Sequence, residues 1–186
     1  MADRHPHICL RALLLCCISL ALLAPTAAHA APPPSSMGGA RYVPPPPPAK
    51  RAKIRDGIAI PPASAPRRVK RAIAAANRIV ANKPYCYGGG HASWESRCYD
   101  CSGSVSYALG DRGAGVLEAP LPSGSFMRWG EPGKGRWISI YANGGHMYAV
   151  IAGLRLDTSM TDGDGPGWSR VSRDQAGFTI RHPRGL

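Results

Sequence analysis

The stretch CYDCSGSVSYAL, residues 98–109, decides how this chain is read. It sets two cysteines three apart where a short helix begins. Asp100 and Ser102 stand beside the second cysteine as capping groups, and Gly110 and a glycine-rich segment stop the helix. A C-x-x-C can be a redox pair, half of a zinc site, or a nucleophile with an unrelated neighbour. Compartment and the other cysteines bear on the choice.

Arg4 and Arg11 precede the apolar run ALLLCCISLALLA (12–24), and Ala28-His29-Ala30 offers a small-x-small cleavage site. Residues 1–30 are therefore expected to be a secretory signal peptide, too short in its apolar run to be a comfortable membrane span. The rival is an uncleaved anchor. The expected location is secreted, periplasmic or cell-wall associated, with no membrane span after cleavage. Residues 31–66 are rich in proline and read as a semi-rigid linker. Residues 67–186 are long enough for one compact domain.

The net charge of +12 points to an anionic neighbourhood. Export argues against nucleic acid and leaves anionic wall polymers or membrane surfaces, with solubility alone as the plainer alternative. Nothing in the sequence calls for a cofactor or a metal, and a monomer is expected.

Six cysteines become three when Cys9, Cys16 and Cys17 leave with the signal. Zinc could draw nominally on Cys86, His91, Cys98 and Cys101, but only one close ligand pair is present where structural zinc sites use two. A thioredoxin-like pair needs a strand before its helix, and GGGHASWESR (88–97) does not read as one. A third reading bonds Cys86 to Cys98 and leaves Cys101 at the helix N-terminus, where the macrodipole favours a thiolate. A buried, inert cysteine is the bland alternative to that nucleophile.

A nucleophilic thiol needs a base and a group to orient it. His91, His146 and His182 remain after the signal, and His146 opens a strand. The period-two segments 136–142, 146–152, 154–159 and 177–182 suggest an antiparallel meander, with Asn143-Gly144 as a hairpin signal. A helix over 67–81 and one over 101–109 precede it, while 117–135 reads as loop. Helices first and an antiparallel sheet afterwards make an α+β domain. If the hairpin near Ala152-Gly153 has an even-length loop, even positions pair with odd ones. His146 and Asp157 then share a face one diagonal step apart. An odd loop would put Thr158 there. Asp157 is the expected orienting group, and His182 is its rival.

KPYCYGGG (83–90), YDCSGSVSYAL (99–109) and GGHMYAVIAGLRLDTS (144–159) together resemble the NlpC-type cysteine peptidases, papain-like endopeptidases of the bacterial cell wall. The resemblance implies a papain-like domain with its N-terminal helices packed on an antiparallel sheet. It implies Cys101 as nucleophile, His146 as base and Tyr85 with its hydroxyl near the oxyanion. It implies Asp100 and Ser102 beside the substrate's peptide stem. The family often carries histidine where this chain has Asp157, and Cys86 and Cys98 lie outside its general motif. The implied activity is hydrolysis of an amide bond in the peptidoglycan stem, between D-glutamate and the diamino acid. Two other classes stand against it: a wall-binding protein of the same fold without hydrolysis, and an exported thiol oxidoreductase.

Overall fold

A computed structural model describes residues 51–80, 82–159 and 165–186. The expected signal peptide and most of the expected linker lie outside the described residues. What is described is mixed α and β. The chain opens with a hairpin, β1 (Lys53–Arg55) and β2 (Ile58–Ile60), followed by α1 (Arg67–Ile79), α2 (Cys101–Leu109) and the short α3 (Ser123–Phe126). Strands β3 (Glu131–Pro132), β4 (Ile138–Ala142), β5 (Met147–Ile151), β6 (Leu154–Asp157), β7 (Gly167–Ser169) and β8 (Thr179–His182) make one sheet. Its order is β3-β8-β4-β5-β6-β7, with every neighbour antiparallel.

The helices form where the periodicity places them. In α1 the residues Val69, Ala72, Ile73, Ala75, Ala76 and Ile79 are buried on one side, while arginines and a lysine occupy the other. Two of those arginines reach across to the end of α2: Arg71 donates to the Asp111 carbonyl, and Arg78 donates to the Arg112 carbonyl and the Tyr107 hydroxyl. Every residue of α2 after Cys101 is buried. A helix surrounded on all sides needs small residues, and C-S-G-S-V-S supplies them.

The sheet divides by parity as its registers require. Ile138, Ile140, Ala142, Met147, Ala149, Ile151, Leu154 and Leu156 point to one face and join α1 and α2 in the main core. Tyr141, Tyr148 and Asp157 belong to the other face. The β5–β6 connection is the two-residue turn Ala152-Gly153, both residues with positive φ (48° and 79°), which matches the twist of the flanking strands.

Three segments differ from the sequence reading. The expected linker over residues 31–66 ends earlier: the β1–β2 hairpin folds, and Ala52, Ala59 and Ala65 enter the core. Asp56-Gly57, with φ of 49° and 78°, is the turn pair that signals it, masked in the sequence by the prolines on both sides. The 117–135 segment carries α3 and β3, and Phe126 is fully buried. The Asn143 hairpin forms, but its connection spans residues 143–146. The Asn143 side chain holds it by accepting from the Gly145 and His146 N–H groups.

Asn77 ties three elements together. Its side chain accepts from the Ala59 N–H (3.0 Å) and the Trp168 indole (2.9 Å) and donates to the Ala59 carbonyl (2.8 Å). Asn77→Ala leaves those three groups unpaired and should lower the unfolding free energy by about 2–3 kcal/mol in urea denaturation.

Candidate active site

Cys86 and Cys98 form a disulfide with Cα atoms 5.6 Å apart, and Cys101 is a free, half-buried thiol. The neighbours in C-x-x-C are thus not bonded to each other. Closing a loop of this length removes freedom from the unfolded chain, on the order of 3 kcal/mol in the chain-entropy account. The stapled loop runs along α2, and its backbone approaches the helix closely. A Cβ on Gly103 would land on the Gly89 carbonyl oxygen, and one on Gly90 would meet the Tyr99 ring and Gly103. The glycines of Y-G-G-G and of D-C-S-G are therefore two sides of one backbone-to-backbone contact.

That contact fixes Cys101. Asp100 is the N-cap of α2: one carboxylate oxygen accepts from the Gly103 N–H (2.7 Å) and the other from the Gly88 N–H (3.0 Å). The Ser102 hydroxyl donates to Asp100, and the His91 ring nitrogen Nε2 stands 2.9 Å from Ser102 and 3.1 Å from Asp100. Asp100 and Ser102 are buried in this network. The sequence reading gave His91 no part beyond a nominal zinc ligand. A histidine in a glycine-rich loop carries no periodic signal that would pair it with a helix cap eleven residues on.

His146 meets Cys101 from the sheet. Its Nε2 lies 2.9 Å from Asp157 Oδ1, and Cys101 stands near enough to act on the charge of the same ring. The β5–β6 register pairs Ala149 with Leu156, which sets Asp157 opposite Tyr148 and one diagonal step from His146. His182 does not approach this ring. It sits on β8 against the Gly133 carbonyl (3.1 Å) and Glu131 (3.3 Å).

Asp157 has a fully buried side chain. Besides His146 it accepts from the Ser159 N–H and hydroxyl (both 3.0 Å), with Arg173 at 3.4 Å and Arg155 at 3.6 Å. Burial alone would raise its pKa, but the His146 and Ser159 hydrogen bonds overcome that and hold it below the ordinary carboxylate value. The hydrogen bond to Asp157, and then the nearby Cys101, push the His146 ring up to about 9 against its own desolvation. The ring is therefore cationic at neutral pH. Its contribution to stability is present below the unfolded value of 6.5 and is lost as pH rises through about 9. That of Asp157 is present above 3.8 and is lost on acidification. Arg173, Arg155 and Ser159 are site residues the sequence did not offer, since only the folded sheet brings the first two to the carboxylate.

Cys101 opens on a cleft of about 490 Å³ lined by Tyr85, His91, Asp100, Ser102 and the start of α3. Tyr85 is raised in pKa by burial and by the nearby Cys101 and Asp100, so it holds its proton and can donate. All of Cys101, His146, Asp157, Tyr85, Asp100 and Ser102 thus gather in one region. Chemically it offers a thiol, a cationic imidazole oriented by a carboxylate, and donors around a groove. In comparison with known proteins, no family model and no curated protein matches this chain.

Two outcomes follow. Asp157→Asn keeps an acceptor oxygen but removes the negative charge that holds the His146 proton, so NMR titration should show the ring falling from about 9 toward 6.5. Gly103→Ala should destabilise the fold by about 2–3 kcal/mol, measured by chemical denaturation, because the clash is with backbone.

Proposed function

We propose that this protein is a papain-like cysteine endopeptidase of the NlpC type, acting on the peptide stem of peptidoglycan. One observation carries the reading: a free cysteine at a helix N-terminus, close enough to a histidine to raise that ring's pKa, and the histidine itself held at 2.9 Å by a buried aspartate. The arrangement supplies each part of acyl transfer through a thiol. The resemblance of 83–90, 99–109 and 144–159 to that family supplies the substrate class.

The reactive form is the Cys101 thiolate beside the His146 imidazolium. Sulfur attacks the scissile carbonyl carbon, a C–S bond forms, and the carbonyl oxygen becomes an oxyanion. The Cys101 backbone N–H, at the first turn of α2 where no intrahelical acceptor exists, and the Tyr85 hydroxyl donate to it. His146 passes its proton to the departing amine as the C–N bond breaks, leaving a thioester. Water then attacks that thioester and gives its proton to His146, releasing the acid and restoring the pair. Asp157 keeps the ring in register and stabilises its cation at each stage. Asp100, Ser102 and His91 line the groove beside the nucleophile as the surface that receives the stem's polar groups.

The disulfide supports an oxidising, exported setting. Among the described residues no helix is long and apolar enough to cross a membrane. Peptidoglycan is the proposed partner, and the basic charge suits the anionic polymers that accompany it.

The test is to incubate the purified protein with peptidoglycan and identify released muropeptides by mass spectrometry. Stem cleavage between D-glutamate and the diamino acid is expected from the wild type, with Cys101→Ala reducing release to background. Wall binding by both proteins without any released product would replace hydrolysis with a binding role.

A further inference from the structure

Strands β7 and β8 are consecutive in the chain, but β4, β5 and β6 stand between them in the sheet. The connection over residues 170–178 therefore has to pass across those strands. It does so on the face that carries Tyr148 and Asp157, where it sets down two side chains the proposed chemistry does not use, Arg173 and Phe178. Local bonds fix the end of this connection. The Asp174 carboxylate accepts from the Ala176 N–H (3.0 Å), and the Gln175 carbonyl accepts from the Phe178 N–H (3.1 Å).

Arg173 stands where these contacts meet. Its Nη1 lies 3.4 Å from Asp157 Oδ2, and it donates to the Ser159 hydroxyl, which in turn donates to Asp157 Oδ1 (3.0 Å). The two carboxylate oxygens are thereby given separate partners. Oδ1 takes His146 Nε2 at 2.9 Å, while Oδ2 faces Arg173, with Arg155 3.6 Å from the same oxygen. The terminal torsion of an aspartate is broad, so partners on both oxygens are what hold Oδ1 toward the ring. The same guanidinium lies over the Phe178 ring, 5.8 Å from its centroid, and Phe178 stands edge-on to His146 at 6.5 Å. Asp157, His146, Phe178 and Arg173 make a closed circuit of four side chains around one imidazole.

We infer that Arg173 is a positioning residue for the base, holding the hydrogen-bond partner of His146 on one side and its aromatic wall on the other. Arg173 does not line the cleft that Cys101 opens on, so its effect passes through His146. The inference rests on the reading of Cys101 and His146 as nucleophile and base. Charge and position pull in opposite directions here. As a bare cation, Arg173 disfavours an imidazolium, and removing it would raise the ring's pKa. As a clamp, it preserves the Asp157 bond that keeps the ring charged, and removing it would lower that pKa. The guanidinium is 34% exposed, so water and salt screen its charge, and Asp157 bonds both cations. The clamp is therefore the larger effect.

The experiment is an NMR titration of the His146 ring in the wild type, Arg173→Ala and Arg173→Lys, with the pH profile of Cys101 alkylation by iodoacetamide measured on the same proteins. Arg173→Ala is expected to lower the His146 midpoint from about 9 by about one unit. Alkylation at neutral pH should slow several-fold, with the acid limb of its profile moved to higher pH. Arg173→Lys keeps the cation without the flat fork and should fall between the other two. Arg173→Met keeps the stem over Phe178, should match Arg173→Ala, and serves in its place where the smaller variant does not fold. A His146 midpoint that stays at about 9 or rises when the guanidinium is removed overturns the assignment. None of these readouts uses peptidoglycan. His146→Ala tests the base itself: alkylation at the wild-type rate there would remove the base, whereas a failure confined to the Arg173 variants removes only the positioning role.

Discussion

The hydrogen bond between His146 Nε2 and Asp157 Oδ1 rests on the register of a single hairpin. Because Ala152-Gly153 makes a two-residue turn, Ala149 faces Leu156 and Asp157 falls one diagonal step from His146. Adding or removing one residue in that turn would send the carboxylate to the other face, into the apolar layer that covers α1 and α2. The same parity that buries Met147, Ala149 and Leu156 therefore delivers Asp157 to the imidazole. Core packing and site geometry are fixed by one constraint, and Ala152 accepts a left-handed backbone to satisfy it.

The helix side has its own constraint. Cys101 is held where the loop of residues 88–90 lies directly on α2, a distance only glycines permit at 89, 90 and 103. The Cys86–Cys98 disulfide closes that loop, and Asp100 bonds both the loop and the helix. Nucleophile and base thus come from separate places, the start of α2 and the Asn143-held turn that leads into β5, each anchored by its own contacts. The meeting of thiol and imidazole follows from packing the helix on the sheet.

Much of this was legible in the residues. The period of α1, the small residues of α2 and the alternation of β4 to β6 each follow from local physics. Asp157 was readable on the condition of an even loop near 152–153, and the two-residue turn meets that condition. The Cys86–Cys98 pairing was one of three readings that the cysteine count and the expected export left open, and the structure has it. Other features depend on contacts far apart in sequence and leave no local trace. Arg173 reaches Asp157 from sixteen residues away, His91 joins the Asp100 cap from a glycine-rich loop, and Asn77 bonds Trp168 across the domain. The Asp56-Gly57 hairpin is a different case: its turn signal was present, but the proline runs nearby outweighed it. The rest of the 117–135 segment hid α3 because four residues are too few for a period to show.

The central claim is that His146 activates Cys101, and alkylation tests it most directly. Purified protein treated with iodoacetamide at neutral pH should take up one label per chain, mapped by peptide mass spectrometry to Cys101. In His146→Ala the labelling rate should fall by about tenfold or more, because the cation paired with the thiolate is gone. Equal rates in the two proteins, or label on Cys86 or Cys98 without reductant, would contradict the account.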